Sequence, residues 1–190
     1  MMHKRQLLLF IAILMFCLQI SAQTVGVKTN ILYDATTTPN IGVELGFGKR
    51  SSVQLFYGLN PWKFGDNKKL RHWSLMPEYR YWLCSPMSGH FFGIHALGGE
   101  FNAGGVKLPF GAFPELRDHR YEGWYVGGGL TYGYSWILGK HWNVEAAVGV
   151  GYIHADYDKF ECKECGKKVK EGVRNYVGPT KAAVNLVYVF

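Results

Sequence analysis

Residues 40–48 read NIGVELGFG, and the alternation inside them decides the fold class. Successive side chains of an extended chain point to opposite faces. Ile41, Val43, Leu45 and Phe47 therefore share one face, and Gly42, Glu44 and Gly46 share the other. The apolar face is bulky; the opposite face is small and carries a charge.

The same two-sided pattern extends along the chain. Val25, Val27, Thr29, Ile31 and Tyr33 oppose Gly26, Lys28, Asn30 and Asp34. Trp73, Leu75, Tyr79 and Tyr81 oppose His72, Ser74, Glu78 and Arg80. Near the end, Trp142, Val144, Ala146, Val148, Val150 and Tyr152 oppose Asn143, Glu145, Gly149 and Gly151, while Ala182, Val184, Leu186, Tyr188 and Phe190 oppose Lys181, Ala183 and Asn185. Eight strands follow, at Val25–Asp34, Asn40–Gly48, Ser52–Asn60, Arg71–Leu83, His90–Asn102, Glu122–Leu138, Trp142–Asp156 and Val177–Phe190. No segment has helical periodicity.

The connections alternate in character. GKRSS, CSPMSG and GK are tight; ATTTP, PWKFGDNKK, GGVKLPFGAFPELRDHR and YDKFECKECGKKVKEGVRNY are longer. Short turns at one end and long loops at the other predict an all-β, eight-stranded antiparallel up-and-down transmembrane β-barrel over residues 23–190. The mid-strand charges Lys28, Glu44, Glu78, Arg80, Glu145 and Lys181 would then share the interior. A buried charge is unfavourable unless paired, so these six are expected to pair as a lumen network. Barrels of this size are filled by their own side chains, which favours structural pairing over conduction. Aromatics cluster towards strand ends: Tyr33, Trp73, Trp124 and Tyr152 near the long loops, and Phe47, Tyr81, Trp136, Trp142 and Tyr188 near the short turns. Two such belts are expected at lipid–water boundaries.

The termini are read in the same terms. His3, Lys4 and Arg5 precede the apolar run Leu7–Ile20, which is followed by Ser21 and Ala22. This order predicts a signal peptide over residues 1–22, cut after Ala22. Phe16 directly before Cys17 fits lipoprotein processing poorly. The last strand, AAVNLVYVF, ends on Tyr188 and Phe190 and resembles the C-terminal assembly signal of outer-membrane barrels, which implies the barrel-assembly machinery as a partner. The 24 glycines and 16% aromatic residues suit many strands and tight turns. The net charge of +7 includes Lys4 and Arg5, so a cleaved chain is only mildly basic and nucleic acid is not expected as a partner.

VKTNILYDATTTPNIGVELG, then NPW, HWSLMPEYRYW, FFGIHALGG, YGYSWILGK and GPTKAA together resemble an uncharacterised family of Bacteroidota outer-membrane-barrel-like proteins, a domain of unknown function. The resemblance spans nearly all of the chain beyond the leader. It implies a barrel in the cell envelope and gene neighbourhoods with fimbrial or other surface-assembly components. It implies no catalytic residues.

Several side chains are candidates for chemistry. Cys162 and Cys165 in FECKECGKK suit a small loop disulfide. The alternative, one knuckle of a zinc site, needs two further ligands, and His154 is the nearest. No metal and no cofactor are expected. Cys84 lies in a short turn at the other end, out of disulfide reach. His72 and Ser74 resemble the His-x-Ser of lipid A deacylases, in which His takes the Ser proton and an acid orients the His. Glu78 lies four residues on, roughly 13 Å away at strand rise, and the pair faces the presumed interior. The basic loops (Lys63, Lys68, Lys69 and Arg71; Lys163, Lys167, Lys168, Lys170 and Arg174) offer cations to lipopolysaccharide phosphates. The loop with Val106, Leu108, Phe110, Phe113 and Leu116 is an apolar patch or a cover for the barrel mouth.

The expectation is a non-enzymatic outer-membrane barrel with a structural, docking or surface-assembly role. Its partners would be outer-membrane lipid and lipopolysaccharide and other envelope or fimbrial proteins. The alternatives are a lipid A-modifying enzyme using His72 and Ser74, and a soluble periplasmic barrel that binds an apolar ligand.

Overall fold

The computed structural model describes residues 24–64, 68–104, 120–160 and 168–190. Its elements are β1 (Val25–Asn30), α1 (Ile31–Ala35), β2 (Asn40–Phe47), β3 (Ser51–Asn60), the two-residue β4 (Lys63–Phe64), β5 (Lys68–Trp82), β6 (Gly89–Gly104), β7 (Arg120–Ile137), β8 (Trp142–Phe160) and β9 (Lys168–Val189). The fold is all-β. Eight antiparallel strands form one sheet in the order β3-β2-β1-β9-β8-β7-β6-β5, and the β3–β5 pairing closes it into a ring. Each strand pairs with its neighbours in the chain, and β1 meets β9 from Gly26↔Val189 to Asn30↔Asn185. Closure gives every strand of the ring two hydrogen-bonded neighbours, which removes free sheet edges around the ring.

The expected strands are present, with three differences. First, β1 stops at Asn30, whose side chain accepts the Leu32 N–H at 3.1 Å and caps the single turn of α1. Five residues are too few to leave a periodic signal. This turn redirects Tyr33 from the outer row, where strict alternation puts it, into the ring. There it packs edge-on against Phe56, with ring centroids 5.4 Å apart. Second, β5 to β9 are longer than expected. Third, Lys168–Tyr176, read as loop, is strand paired with β8 out to Lys168↔Phe160. Both faces of that arm are largely accessible and each carries charge, Lys159, Lys170 and Arg174 on one and Asp156, Asp158 and Glu171 on the other, so no hydrophobic alternation marks it. The predicted leader over residues 1–22, the pair Cys162 and Cys165, the apolar loop at 106–116, and Lys163 and Lys167 all lie outside the described residues.

The interior is built in layers. Towards the short turns, Trp82, Met87, Phe91, Ala147 and Ala183 form an apolar plug. Met87 comes from the Leu83–Ser88 turn and adopts φ 63°, a left-handed conformation uncommon for a residue with a side chain. Its carbonyl accepts hydrogen bonds from Ser135 Oγ at 3.0 Å and Asn143 Nδ2 at 2.8 Å, which hold the turn inside the ring. Towards the long loops, Phe56, Met76 and Leu97 pack with Tyr33, Tyr125 and Ile153. Met87→Ala removes the plug's central side chain, and an expected loss of about 2–4 kcal/mol follows from cavity formation. Denaturant unfolding of the purified chain, followed by intrinsic fluorescence, measures it.

The outer face is apolar around the ring. Val43 is 39% exposed, and Ile94, Leu130 and Val148 are each above 60%. Between the level of Trp73 and Trp124 and the level of Tyr81, Trp136 and Trp142, the outward rows of the eight ring strands carry no Lys, Arg, Asp or Glu; the exposed Asp34 of α1 lies against Thr29 and Asn40 near the upper edge of this band.

Candidate functional site

Six charged side chains from five strands meet between the two apolar layers. Lys28 (β1) donates to Glu44 Oε2 (β2) at 2.5 Å and to Glu145 Oε2 (β8) at 2.9 Å. Arg80 (β5) lies opposite. Its Nη1 donates to the same two oxygens at 2.8 Å each, and its Nε donates to Glu78 Oε1 at 2.9 Å. Lys181 (β9) donates to the other Glu78 oxygen. Two carboxylates thus sit between two cations, with a third pair attached. Three cations and three anions leave the cluster neutral.

Neutral side chains complete the set. Ser52 donates to Glu44 Oε1 at 2.5 Å, and the Trp82 indole N–H donates to Ser52 Oγ at 2.8 Å. Asn185 donates to Glu145 Oε1 at 2.7 Å. The Arg80 guanidinium also lies 4.4 Å from the centre of the Phe91 ring, so the plug and the ionic layer share a contact. Lys28, Glu44, Glu78, Arg80 and Glu145 are essentially inaccessible. At the backbone level this packing depends on missing side chains: a Cβ at Gly93 would come 2.7 Å from Glu78 Oε1, and one at Gly42 would come 2.8 Å from Lys28 Cγ.

All six residues expected as interior charges join this cluster. Sequence reading did not single out His95, which is buried between Thr131 Oγ1 and Thr180 Oγ1, each 2.9 Å from a ring nitrogen. The available signal was its place on the inward face of β6, in phase with Phe91 and Leu97. Thr180 was less legible, because a register shift between Gly149 and Val150 changes the facing of β9 at that level.

The other candidates do not assemble. Ser74 is buried within the upper layer, one inward position from Met76 towards the long loops and beside Tyr33, whereas His72 is half-buried at the rim. Both Glu78 oxygens are engaged by Arg80 and Lys181, so Glu78 does not orient His72. Cys84 is exposed and free, in the short turn at the end of the ring opposite Phe160 and Lys168, which flank Cys162 and Cys165. Among the described residues, no group of three His, Cys, Asp or Glu side chains is placed to hold a metal ion. The interior retains a small cavity of about 50 Å³ beside Gln54, Phe56, Lys181 and Asn185. A larger cleft of about 480 Å³ opens at the long-loop end between Leu59, Arg71, Trp73, Glu100, Glu122 and Trp124.

Comparison with known proteins adds a family and no activity. The family described as "Protein of unknown function (DUF3575)" matches residues 8–190. Neither a curated protein nor a solved structure matches the chain.

Proposed function

The chain belongs to the DUF3575 family of proteins of unknown function, and from that premise we propose that it is a non-enzymatic, integral β-barrel of a bacterial outer membrane with a docking or surface-assembly role. One observation carries this reading. The outward rows of the ring strands between the aromatic levels carry no carboxylate or cation, while six charges meet inside. A water-soluble ring would place charges outward and keep its interior apolar. Lipid reverses the preference at the outer wall, where a charge near the bilayer midplane destabilises by about 2–4 kcal/mol.

Dimensions agree. Trp124 and Trp136 lie at opposite ends of the outward row of β7. Twelve residues of strand rise ~40 Å, and a tilt of ~40° reduces this to ~30 Å, close to a hydrocarbon core. The basic, apolar and small-residue order of residues 1–22 supports export to the envelope. The two apolar layers on either side of the ions favour a filled barrel over a conducting one. With its interior occupied, the part left to engage a partner is the long-loop end, together with the arm formed by β8 and β9. The likeness of its motifs to Bacteroidota barrel proteins encoded near fimbrial components suggests a surface-assembly partner.

Fractionation of cells expressing the full chain tests the membrane half of the reading. The expected result is recovery in the outer-membrane fraction, resistance to alkaline extraction, and faster gel migration before boiling than after. Recovery in the soluble periplasmic fraction contradicts it. Crosslinking in the native envelope tests the docking half. Recurrent capture of envelope-assembly proteins through the long-loop end supports it, and repeated capture of nothing removes it.

A further inference from the structure

Beyond Asn30, β9 continues without β1 beside it. The two strands pair only as far as Asn30↔Asn185. The Asn30 side chain closes the pairing: it accepts the Val184 N–H at 3.2 Å and donates to the Ala182 carbonyl at 3.3 Å, and the chain turns away into α1. Away from that point β9 reaches back to Lys168, paired with β8 throughout. Among the described residues, no strand pairs with the other side of β9 over residues 168–181. Every second residue of an antiparallel strand turns its N–H and C=O to the same side, so that side presents a ladder of backbone donors and acceptors. Register shifts lie at its two ends, opposite Gly149/Val150 and Lys159/Phe160. Between them, residues 170–178 form an uninterrupted edge, ~30 Å long at strand rise.

The two faces beside this edge differ. Lys170, Arg174 and Tyr176 share one, and Glu171, Val173, Asn175 and Val177 share the other. Lys170 and Arg174 are exposed. Val173 is 59% and Val177 80% exposed, the latter opposite Tyr152. Native proteins commonly blunt an open edge with charge. Here the cations keep to one face and leave two aliphatic side chains four residues apart on the other. Binding by strand addition uses these two features: the backbone ladder supplies affinity, and alternate side chains select the sequence. A second copy does not fit. Two copies inserted in the same direction are related by an axis along the membrane normal, so their β9 strands rise together. Tilted by ~40°, they cross at ~80° and cannot lie edge to edge.

We propose that residues 170–178 of β9 are a docking edge for an extended segment of a separate exported protein, which adds antiparallel to β9 where a longer β1 would run. Register dictates the chemistry of that segment. Aliphatic side chains lie opposite Val173 and Val177 on one face, and acidic side chains lie opposite Lys170 and Arg174 on the other. The proposal rests on the docking reading above and names the class of its partner.

The test uses the full chain inserted into vesicles, with insertion scored first by heat-modifiable gel migration. The probe is an eight-residue peptide with valine first and fifth, glutamate fourth and eighth, and threonine elsewhere. Antiparallel addition sets its valines opposite Val177 and Val173 and its glutamates opposite Arg174 and Lys170. The peptide is expected to slow hydrogen exchange by about tenfold at alternate amides within residues 170–178. Lysine in place of both glutamates should weaken binding by about tenfold. Lys170→Glu should erase that difference, because the two positions then carry opposite charges. Two N-methylated peptides separate backbone pairing from side-chain contact: methylation of the alternate amides that face β9 should abolish binding, and methylation of the other set should preserve it. Unchanged exchange in β9, or equal binding by the two methylated peptides, overturns the edge assignment and leaves the docking reading to the envelope crosslinking. Slowing that needs no peptide and grows with protein density puts a second copy on the edge and overturns a separate partner. If the peptide binds as expected but envelope crosslinking captures nothing, the edge stands as a strand-binding site and the docking role falls.

Discussion

Arg80→Met is expected to leave the ring unable to hold its folded state under conditions where the wild type is stable. Arg80 touches all three buried carboxylates: Glu44 and Glu145 through one nitrogen and Glu78 through another. Methionine replaces much of the volume and would preserve contact with Phe91, but it leaves two cations facing three anions in a buried space. Removing one partner of a buried ionic group destabilises by about 3–5 kcal/mol, a large fraction of the total stability of a small domain. Denaturant unfolding, with the fraction of fast-migrating unboiled protein as readout, measures the loss. A companion variant separates charge from packing. Arg80→Met combined with Glu145→Gln restores neutrality, and should recover a substantial part of the loss if charge imbalance dominates. Additive losses in the pair would instead assign the effect to packing.

Val148→Arg is expected to impair folding in a bilayer by about 2–4 kcal/mol, whereas Val173→Arg should change it by no more than about 0.5 kcal/mol. The two valines are similarly exposed, at 62% and 59%, so side-chain burial within the protein cannot separate them. Their positions differ: Val148 lies in the middle of the charge-free band and Val173 on the arm above it, opposite Asp156. If both surfaces faced water, the substitutions would have the same small effect. Refolding yield into vesicles, titrated with urea, distinguishes the cases.

Much of this architecture was legible because a closed ring leaves each side chain only two directions. Once Ile41, Val43 and Leu45 point outward, Glu44 must point inward, and the same holds for Glu145 against Val144 and Val148. Six charges assigned to one narrow interior can hardly avoid meeting. Their heights along the axis were not legible, because height depends on register between strands distant in sequence. Register decides that Glu78 bridges Arg80 and Lys181 and does not serve His72. Local chain geometry hid other features. Tyr33 fits the outward alternation of β1 until the Asn30 cap turns the chain into α1. Met87 reads as a turn residue, and nothing in CSPMSG signals that the turn folds inward to plug the ring. The arm of β8 and β9 was hidden for a different reason: Lys170 and Glu171 are exposed and Asp158 and Lys159 only half-buried, so burial imposes no pattern on them. The outer cleft needed register as well, since Trp73, Glu100 and Trp124 come from three strands and align only once β5, β6 and β7 are paired.

The central claim is that hydrocarbon bathes the outer row through Ile94, Leu130 and Val148. Spin labels on single cysteines at these positions and at Val173, in a chain whose native cysteines are replaced by serine and which is folded into vesicles, test it directly. The prediction is high collision with dissolved oxygen and low collision with a water-soluble nickel chelate at Ile94, Leu130 and Val148, with the reverse at Val173. Nickel access at Val148 equal to that at Val173 would contradict it.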